Sequence, residues 1–117
     1  MEGQDWATAE SSCAAEGSSL ASVHSKEEND FLTGMLATEV EVRGVWLGGN
    51  DKEVEADWIW TDKSSWSFEN WKADEPNNKY GQQHCVRINI GGSFSGEWND
   101  VYCTNLHAFI CKKQIVS

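Results

Sequence analysis

Apolar residues recur at helical spacing early in the chain and at strand spacing later. Trp6, Ala9 and Cys13 lie three and four positions apart in a stretch rich in Ala, Glu and Ser. That spacing predicts a helix over 6–16 with those residues, and Gly17, on one face. Gly17 stands where glycine commonly ends a helix. Leu20-Ala21-Ser22-Val23 reads as a short extended link. Ser25-Lys26-Glu27-Glu28 has the form of a capping box, with Ser25 as N-cap and Glu28 reaching back. The helix it opens is expected to turn Phe31, Leu32, Met35 and Leu36 inward.

The second half changes period. Val45-Trp46-Leu47-Gly48 reads as a buried strand, and Asp57-Trp58-Ile59-Trp60-Thr61 alternates as a second. Cys85-Val86-Arg87-Ile88-Asn89-Ile90 alternates cleanly. Gly91 to Gly96 is a flexible turn, Glu97 to Val101 a short strand, and Ala108 to Lys112 a last one. Between Asp62 and Gln83 periodicity fades, and the only proline, Pro76, falls there. Irregular segments of that length in a compact domain are often functional. Two helices followed by an irregular antiparallel sheet with a long loop region define an α+β fold class, in one domain over 1–117.

Composition narrows the classes. A chain of 117 residues is small enough to benefit from covalent bracing. Its four cysteines, Cys13, Cys85, Cys103 and Cys111, include no C-x-x-C pair, which argues against structural zinc. An even count in a small domain points to disulfides and an oxidising compartment, hence a secreted or extracellular protein. Three connectivities are open at this point, among them a nested one. The formal charge of -10 argues against nucleic acid and anionic membranes as partners. No apolar run approaches the ~20 residues of a membrane helix, so no membrane insertion by this chain is expected. The polar first residues are no signal peptide, and Met1 reads as the start of an expressed mature fragment. No N-x-S/T sequon is present. No nucleophile elbow, H-E-x-x-H or phosphate loop appears, so the chain does not read as an enzyme. His24, His84 and His107 are scattered and read as satisfied surface or core residues.

An acidic surplus binds cations where carboxylates converge in space. Two clusters offer hard oxygen donors, Glu75-Pro76-Asn77 and Trp98-Asn99-Asp100. A proline in such a loop can hold a cis bond that fixes its neighbours.

These residues stand in a familiar order. Trp6 to Cys13, Leu20 to Val23, Val45-Trp46-Leu47-Gly48-Gly49 and Trp60-Thr61-Asp62 come first. Asn70-Trp71, Glu75-Pro76-Asn77, Cys85-Val86, Trp98 to Cys103 and Phe109-Ile110-Cys111 follow. In that order the chain resembles the C-type lectin-like domain family over nearly its whole length. The resemblance implies disulfides Cys13–Cys111 and Cys85–Cys103. It implies a Ca2+ site on Glu75, Asn77, Gln83, Asn99 and Asp100, with Glu75–Pro76 in cis. Two vicinal sugar hydroxyls would complete the calcium shell and exchange hydrogen bonds with Glu75, Asn77, Gln83 and Asn99. In the family, Glu-Pro-Asn goes with mannose, glucose, N-acetylglucosamine or fucose, and Gln-Pro-Asp with galactose. The implied role is glycan or microbial pattern recognition in innate immunity. The alternative is a lectin-like protein-interaction or ice-binding domain. Trp98 is expected to pack under the loop.

Two departures qualify the resemblance. The family usually places Glu two residues before the strand cysteine, where this chain has Gln83. The substitution removes a negative charge and presents an NH₂ where an acceptor is expected. A weaker site follows, in the ~10⁻⁴–10⁻³ M class. An auxiliary calcium site found in some members would draw on Asp51 and Glu55, with Asn78, Gln83 and His84 as poorer ligands. Secondly, the strand usually preceding the first helix is missing or truncated. That predicts an exposed edge beside Phe109 and Ile110, covered by a partner chain if the domain is a homo-oligomer.

Overall fold

The computed structural model describes residues 3–36, 44–53, 57–72, 83–90 and 95–113. Helix α1 spans Trp6–Ala15. Asp5 caps it, accepting from the Thr8 N–H at 2.8 Å. Trp6, Ala9 and Cys13 are its buried face, and Gly17 adopts the left-handed φ of 75° that ends it. Helix α2 spans Lys26–Leu36. Ser25 Oγ accepts from the Glu28 N–H at 3.1 Å. Glu28 reaches back one residue further than the capping box requires, accepting from the His24 N–H at 2.7 Å.

The inward face of α2 differs from the expected one. Leu32 is buried and Leu36 half-buried, but Phe31 is 68 % and Met35 43 % exposed. The third inward residue is polar, Asn29. It lies three positions before Leu32, so it shares that face, while Phe31 and Met35, four apart, share the neighbouring one.

The strands are β1 (Ser19–Leu20), β2 (Gly44–Asn50), β3 (Ile59–Trp60), β4 (Gln83–Asn89), β5 (Trp98–Tyr102), β6 (Ala108–Phe109) and β7 (Cys111–Lys112). The main sheet runs β3-β2-β4-β5, all antiparallel neighbours, and β6 adds to β2 in parallel. A second, two-stranded sheet pairs β1 with β7. The last strand is thus broken at Ile110, whose carbonyl accepts from the Ala21 N–H at 2.9 Å. Around Phe109 and Ile110, where an exposed edge is expected, the described residues have the following partners. Trp46 pairs with Phe109, Leu20 with Cys111, and Gln4 exchanges both backbone bonds with His107 at 2.9 and 3.0 Å.

Two apolar layers flank the sheet. Val86, Ile88 and Ile90 alternate into one, with Val45, Leu47, Trp58, Trp60 and Trp98. Cys85 and Val101 belong to the other, with Trp6, Ala9, Cys13, Leu20 and Trp46. The disulfides Cys13–Cys111 and Cys85–Cys103 brace this second layer, with Cα separations of 5.5 and 5.3 Å. Close approach explains the Gly-Gly pair. A Cβ at Gly48 would lie 2.8 Å from the Leu20 carbonyl oxygen, and one at Gly49 2.7 Å from Val86 Cγ2.

Trp98 is fully buried among aromatic rings, with Trp60 at 5.6 Å, Phe68 and Trp71 at 5.9 Å and Trp66 at 6.0 Å. Its Nε1 donates to Asn29 Oδ1 at 2.8 Å. Asn29 Nδ2 in turn donates to the Gly96 carbonyl at 2.9 Å. Leucine at position 29 keeps the volume but removes both partners. Since a buried polar group left unsatisfied costs about 1–3 kcal/mol, Asn29→Leu is predicted to lose at least that much in urea unfolding.

His107 sets a pH dependence. Its ring stands edge-on to Trp46 at 4.8 Å, and its Nε2 is buried with no hydrogen-bond partner among the described residues. Burial, with a smaller contribution from the Arg87 guanidinium, lowers its pKa to about 4. The unfolded chain takes up that proton near 6.5, the folded chain only near 4. The stability due to neutral His107 is therefore complete above pH 6.5 and falls between 6.5 and 4. The loss is at most about 3 kcal/mol, reduced by the partial exposure of the ring. Urea midpoints at pH 7 and 4.5 are expected to differ less in His107→Gln than in the unsubstituted protein.

Candidate functional site

Strand β5 carries two of the five expected ligands, Asn99 and Asp100. Successive residues of a strand face opposite sides. Trp98 and Asp100 turn toward the aromatic layer, where Asp100 is 1 % exposed. Asn99 and Val101 turn to the other side. There Asn99 Oδ1 accepts from Asn89 Nδ2 at 3.1 Å, and Asn89 Oδ1 accepts from Arg87 Nη2 at 3.1 Å. This row follows from the register, which sets Arg87 opposite Asn99 and Val86 opposite Asp100.

Gln83 opens β4 opposite Tyr102, and the register slips between Gln83 and Cys85. Such irregularities re-aim side chains at strand ends. Gln83 is half-buried. Glu75, Asn77, Asn78 and Glu55 lie outside the described residues. The residues on either side of 73–82 pack against β5. On one side Trp71 bridges to Trp98, with Trp98 N–H to Asn70 O at 2.8 Å and Lys72 N–H to Trp98 O at 2.7 Å. On the other, Gln83 pairs with Tyr102. Lys72 thus lies beside one end of β5 and Gln83 beside the other.

Among the described residues, no three His, Cys, Asp or Glu side chains come together to hold a metal. The described part of the expected set is Gln83, Asn99 and Asp100: one carboxylate and two amide oxygens. That chemistry suits a hard cation such as calcium. The Asn99 oxygen has two lone pairs and has given one to Asn89.

At the expected auxiliary site, Asp51 is found with His84. The His84 Nδ1 lies 2.9 Å from Asp51 Oδ1, and the Asp51 N–H donates to the His84 carbonyl at 3.0 Å. The Asp51 side chain is completely buried. Where a cation would need another oxygen, Asp51 meets an imidazole.

Two groupings escaped sequence reasoning. Ser22, His24 and Asp62 converge: Ser22 Oγ donates to Asp62 Oδ2 at 2.5 Å, and His24 Nε2 lies 3.1 Å from Ser22 Oγ. Asp62 holds the serine and not the histidine, and Ser22 is 0 % exposed. The serine ties the segment before α2 to the turn after β3. Burial works to raise the Asp62 carboxyl, but bonds from Ser22 and Ser64 outweigh it and leave it below its usual value. The second grouping is a cavity of about 540 Å3 between Trp6, Trp60 and Trp66, rimmed by Lys52 and Lys63. Its only trace in the sequence is the lysine after Trp60-Thr61-Asp62.

Comparisons with known proteins agree with this architecture. The family model for the Lectin C-type domain matches residues 2–113. The galactose-specific lectin nattectin of Thalassophryne nattereri is 36 % identical over 112 residues, covering 95 % of this chain and 69 % of that protein. The type-2 ice-structuring protein of Osmerus mordax is 39 % identical over 108 residues, covering 92 % of this chain and 59 % of that protein. The chain thus spans well short of the full length of either relative. Among solved structures, the C-type carbohydrate-recognition domain of cow CD23 superposes with a TM-score of 0.84. It is 34 % identical and covers 98 % of this chain and 84 % of that one. The fold, its two disulfides and these matches establish that the chain belongs to the C-type lectin domain family.

Proposed function

We propose that this domain binds carbohydrate through calcium held by Glu75, Asn77, Gln83, Asn99 and Asp100. The observation that carries the reading is the placing of Lys72 and Gln83 beside the two ends of β5. Three residues, about 10–11 Å of extended chain, separate Lys72 from Glu75. This placing of Lys72 and Gln83 beside β5 supports a reach from Glu75 and Asn77 to Asn99 and Asp100. Bound calcium would supply coordination positions for two vicinal sugar hydroxyls. The chain's own groups would orient the same hydroxyls, carboxylates accepting and amide N–H groups donating.

The Glu75-Pro76-Asn77 order favours mannose-type hydroxyls, as in mannose, glucose, N-acetylglucosamine or fucose. Galactose is the competing sugar, since one relative is named a galactose-specific lectin. The site carries only two carboxylates, Glu75 and Asp100, which implies modest calcium affinity. One weak site gains avidity when several copies are presented together, so a homo-oligomer recognising glycans on a cell surface or microbe fits. Two disulfides suit a secreted protein, and no helix among the described residues is long and apolar enough to cross a membrane.

A second reading is ice or protein binding without sugar. It draws on the 39 % identity to an ice-structuring protein and on Gln83, which replaces a carboxylate by an amide. The test is retention of a tetravalent form on mannose-agarose and galactose-agarose in millimolar calcium. The first reading expects retention on mannose, release by EDTA and flow-through on galactose. Flow-through of the folded tetramer on both, with thermal hysteresis in ice, replaces it by the second. Gln83→Glu restores a charge to the site and is expected to tighten calcium on the order of tenfold, about 1.4 kcal/mol, in a tryptophan-fluorescence titration.

A further inference from the structure

The cavity between Trp6, Trp60 and Trp66 shares no residue with the candidate calcium set. At about 540 Å3 it falls within the roughly 300–1,000 Å3 range of small-molecule sites. Of its three indoles, Trp6 and Trp60 are buried and Trp66 is half-buried. Trp66 lies 4.4 Å from Trp60 at an interplanar angle of 30°, and Trp6 carries the Lys52 ammonium 4.9 Å above its ring. Indole faces are electron-rich and receive cations or the C–H faces of rings.

The polar groups of the lining are unevenly committed. Thr61 Oγ1 donates to Glu10, Ser64 Oγ donates to Asp62, and Asn50 Nδ2 donates to the Gly48 carbonyl. The Lys52 and Lys63 ammoniums form no ion pair among the described residues. Donors available to a ligand are therefore chiefly two cations, while the Thr61 and Ser64 oxygens keep lone pairs for incoming hydroxyls. Among the described residues, Glu53, exposed, is the acidic one in the lining. Lys63 also stands at a φ of 67°, a left-handed conformation that glycine adopts more easily.

A ligand matching this lining has an apolar ring face, hydroxyl donors and an anionic group. From this we infer a second, calcium-independent site for a short acidic saccharide, one bearing a uronate or sulfate. Its ring stacks on Trp66 and its anion lies between Lys52 and Lys63. The overall charge of -10 repels long polyanions, so selection favours mono- and disaccharides over polymers.

The test is a calorimetric titration in EDTA with a sulfated, uronate-containing heparin disaccharide, and with cellobiose as the neutral control. The acidic disaccharide is expected to saturate the protein, with cellobiose at least tenfold weaker. Adding calcium is expected to change its affinity less than twofold. Lys63→Gly removes an ammonium while relieving the left-handed backbone. It is expected to weaken binding at least fivefold and to raise the thermal midpoint, which separates lost recognition from lost folding. Lys52→Ala is expected to weaken binding similarly. The inference is overturned by absence of saturation, by equal binding of cellobiose, or by wild-type affinity in folded Lys63→Gly. Binding that requires calcium would also overturn it and would assign the ligand to the Asn99–Asp100 site instead.

Discussion

The hydrogen bond from the Trp98 indole to Asn29 joins the two halves of the molecule. The residues are 69 positions apart, one on α2 and one on β5, and the bond is buried. An indole N–H placed in an aromatic layer needs an acceptor or costs about 1–3 kcal/mol. Asn29 supplies it, and its own amide is satisfied by the Gly96 carbonyl, which Asn70 also reaches at 2.6 Å. One asparagine therefore positions the turn before β5, the strand itself and the start of the long segment. Asn99 and Asp100 follow Trp98 directly, so their placement derives from this core contact.

The rest of the sheet makes that placement rigid. β4 is held between β2 and β5, and the Cys85–Cys103 disulfide ties β4 to the end of β5. Asp51 and His84 join the ends of β2 and β4 at the position expected for an auxiliary cation. A buried carboxylate needs compensation, and here the imidazole contributes it from within the chain. The candidate site thus rests on a scaffold braced by covalent, aromatic and polar contacts. The acidic-saccharide cavity uses another part of the same aromatic layer, through Trp60 and Trp66.

Much of this was legible in the sequence, for physical reasons. Three- and four-residue spacing found the buried face of α1, and alternation found β4, because both follow from backbone period. The order of the motifs, not their spacing alone, supplied the disulfide pairing. Reading failed where an element does not follow hydrophobicity. Helix α2 buries Asn29 beside Leu32 and exposes Phe31, because part of its core contact is a hydrogen bond. The partnership of Asp51 with His84 is a tertiary pairing across 33 residues that no local pattern encodes. The same is true of β6 lying parallel to β2. Of the expected calcium ligands, Gln83, Asn99 and Asp100 are located on strands, while Glu75 and Asn77 fall outside the described residues.

On the proposed function, Glu75, Asn77, Gln83, Asn99 and Asp100 together hold one calcium ion per chain. Calorimetric titration of the metal-free protein with calcium tests it most directly, with Asp100→Asn and Asp51→Asn alongside. The account predicts one ion, lost or weakened at least tenfold in Asp100→Asn and retained in Asp51→Asn. No calcium binding by the folded protein, or binding unchanged by Asp100→Asn, would contradict it.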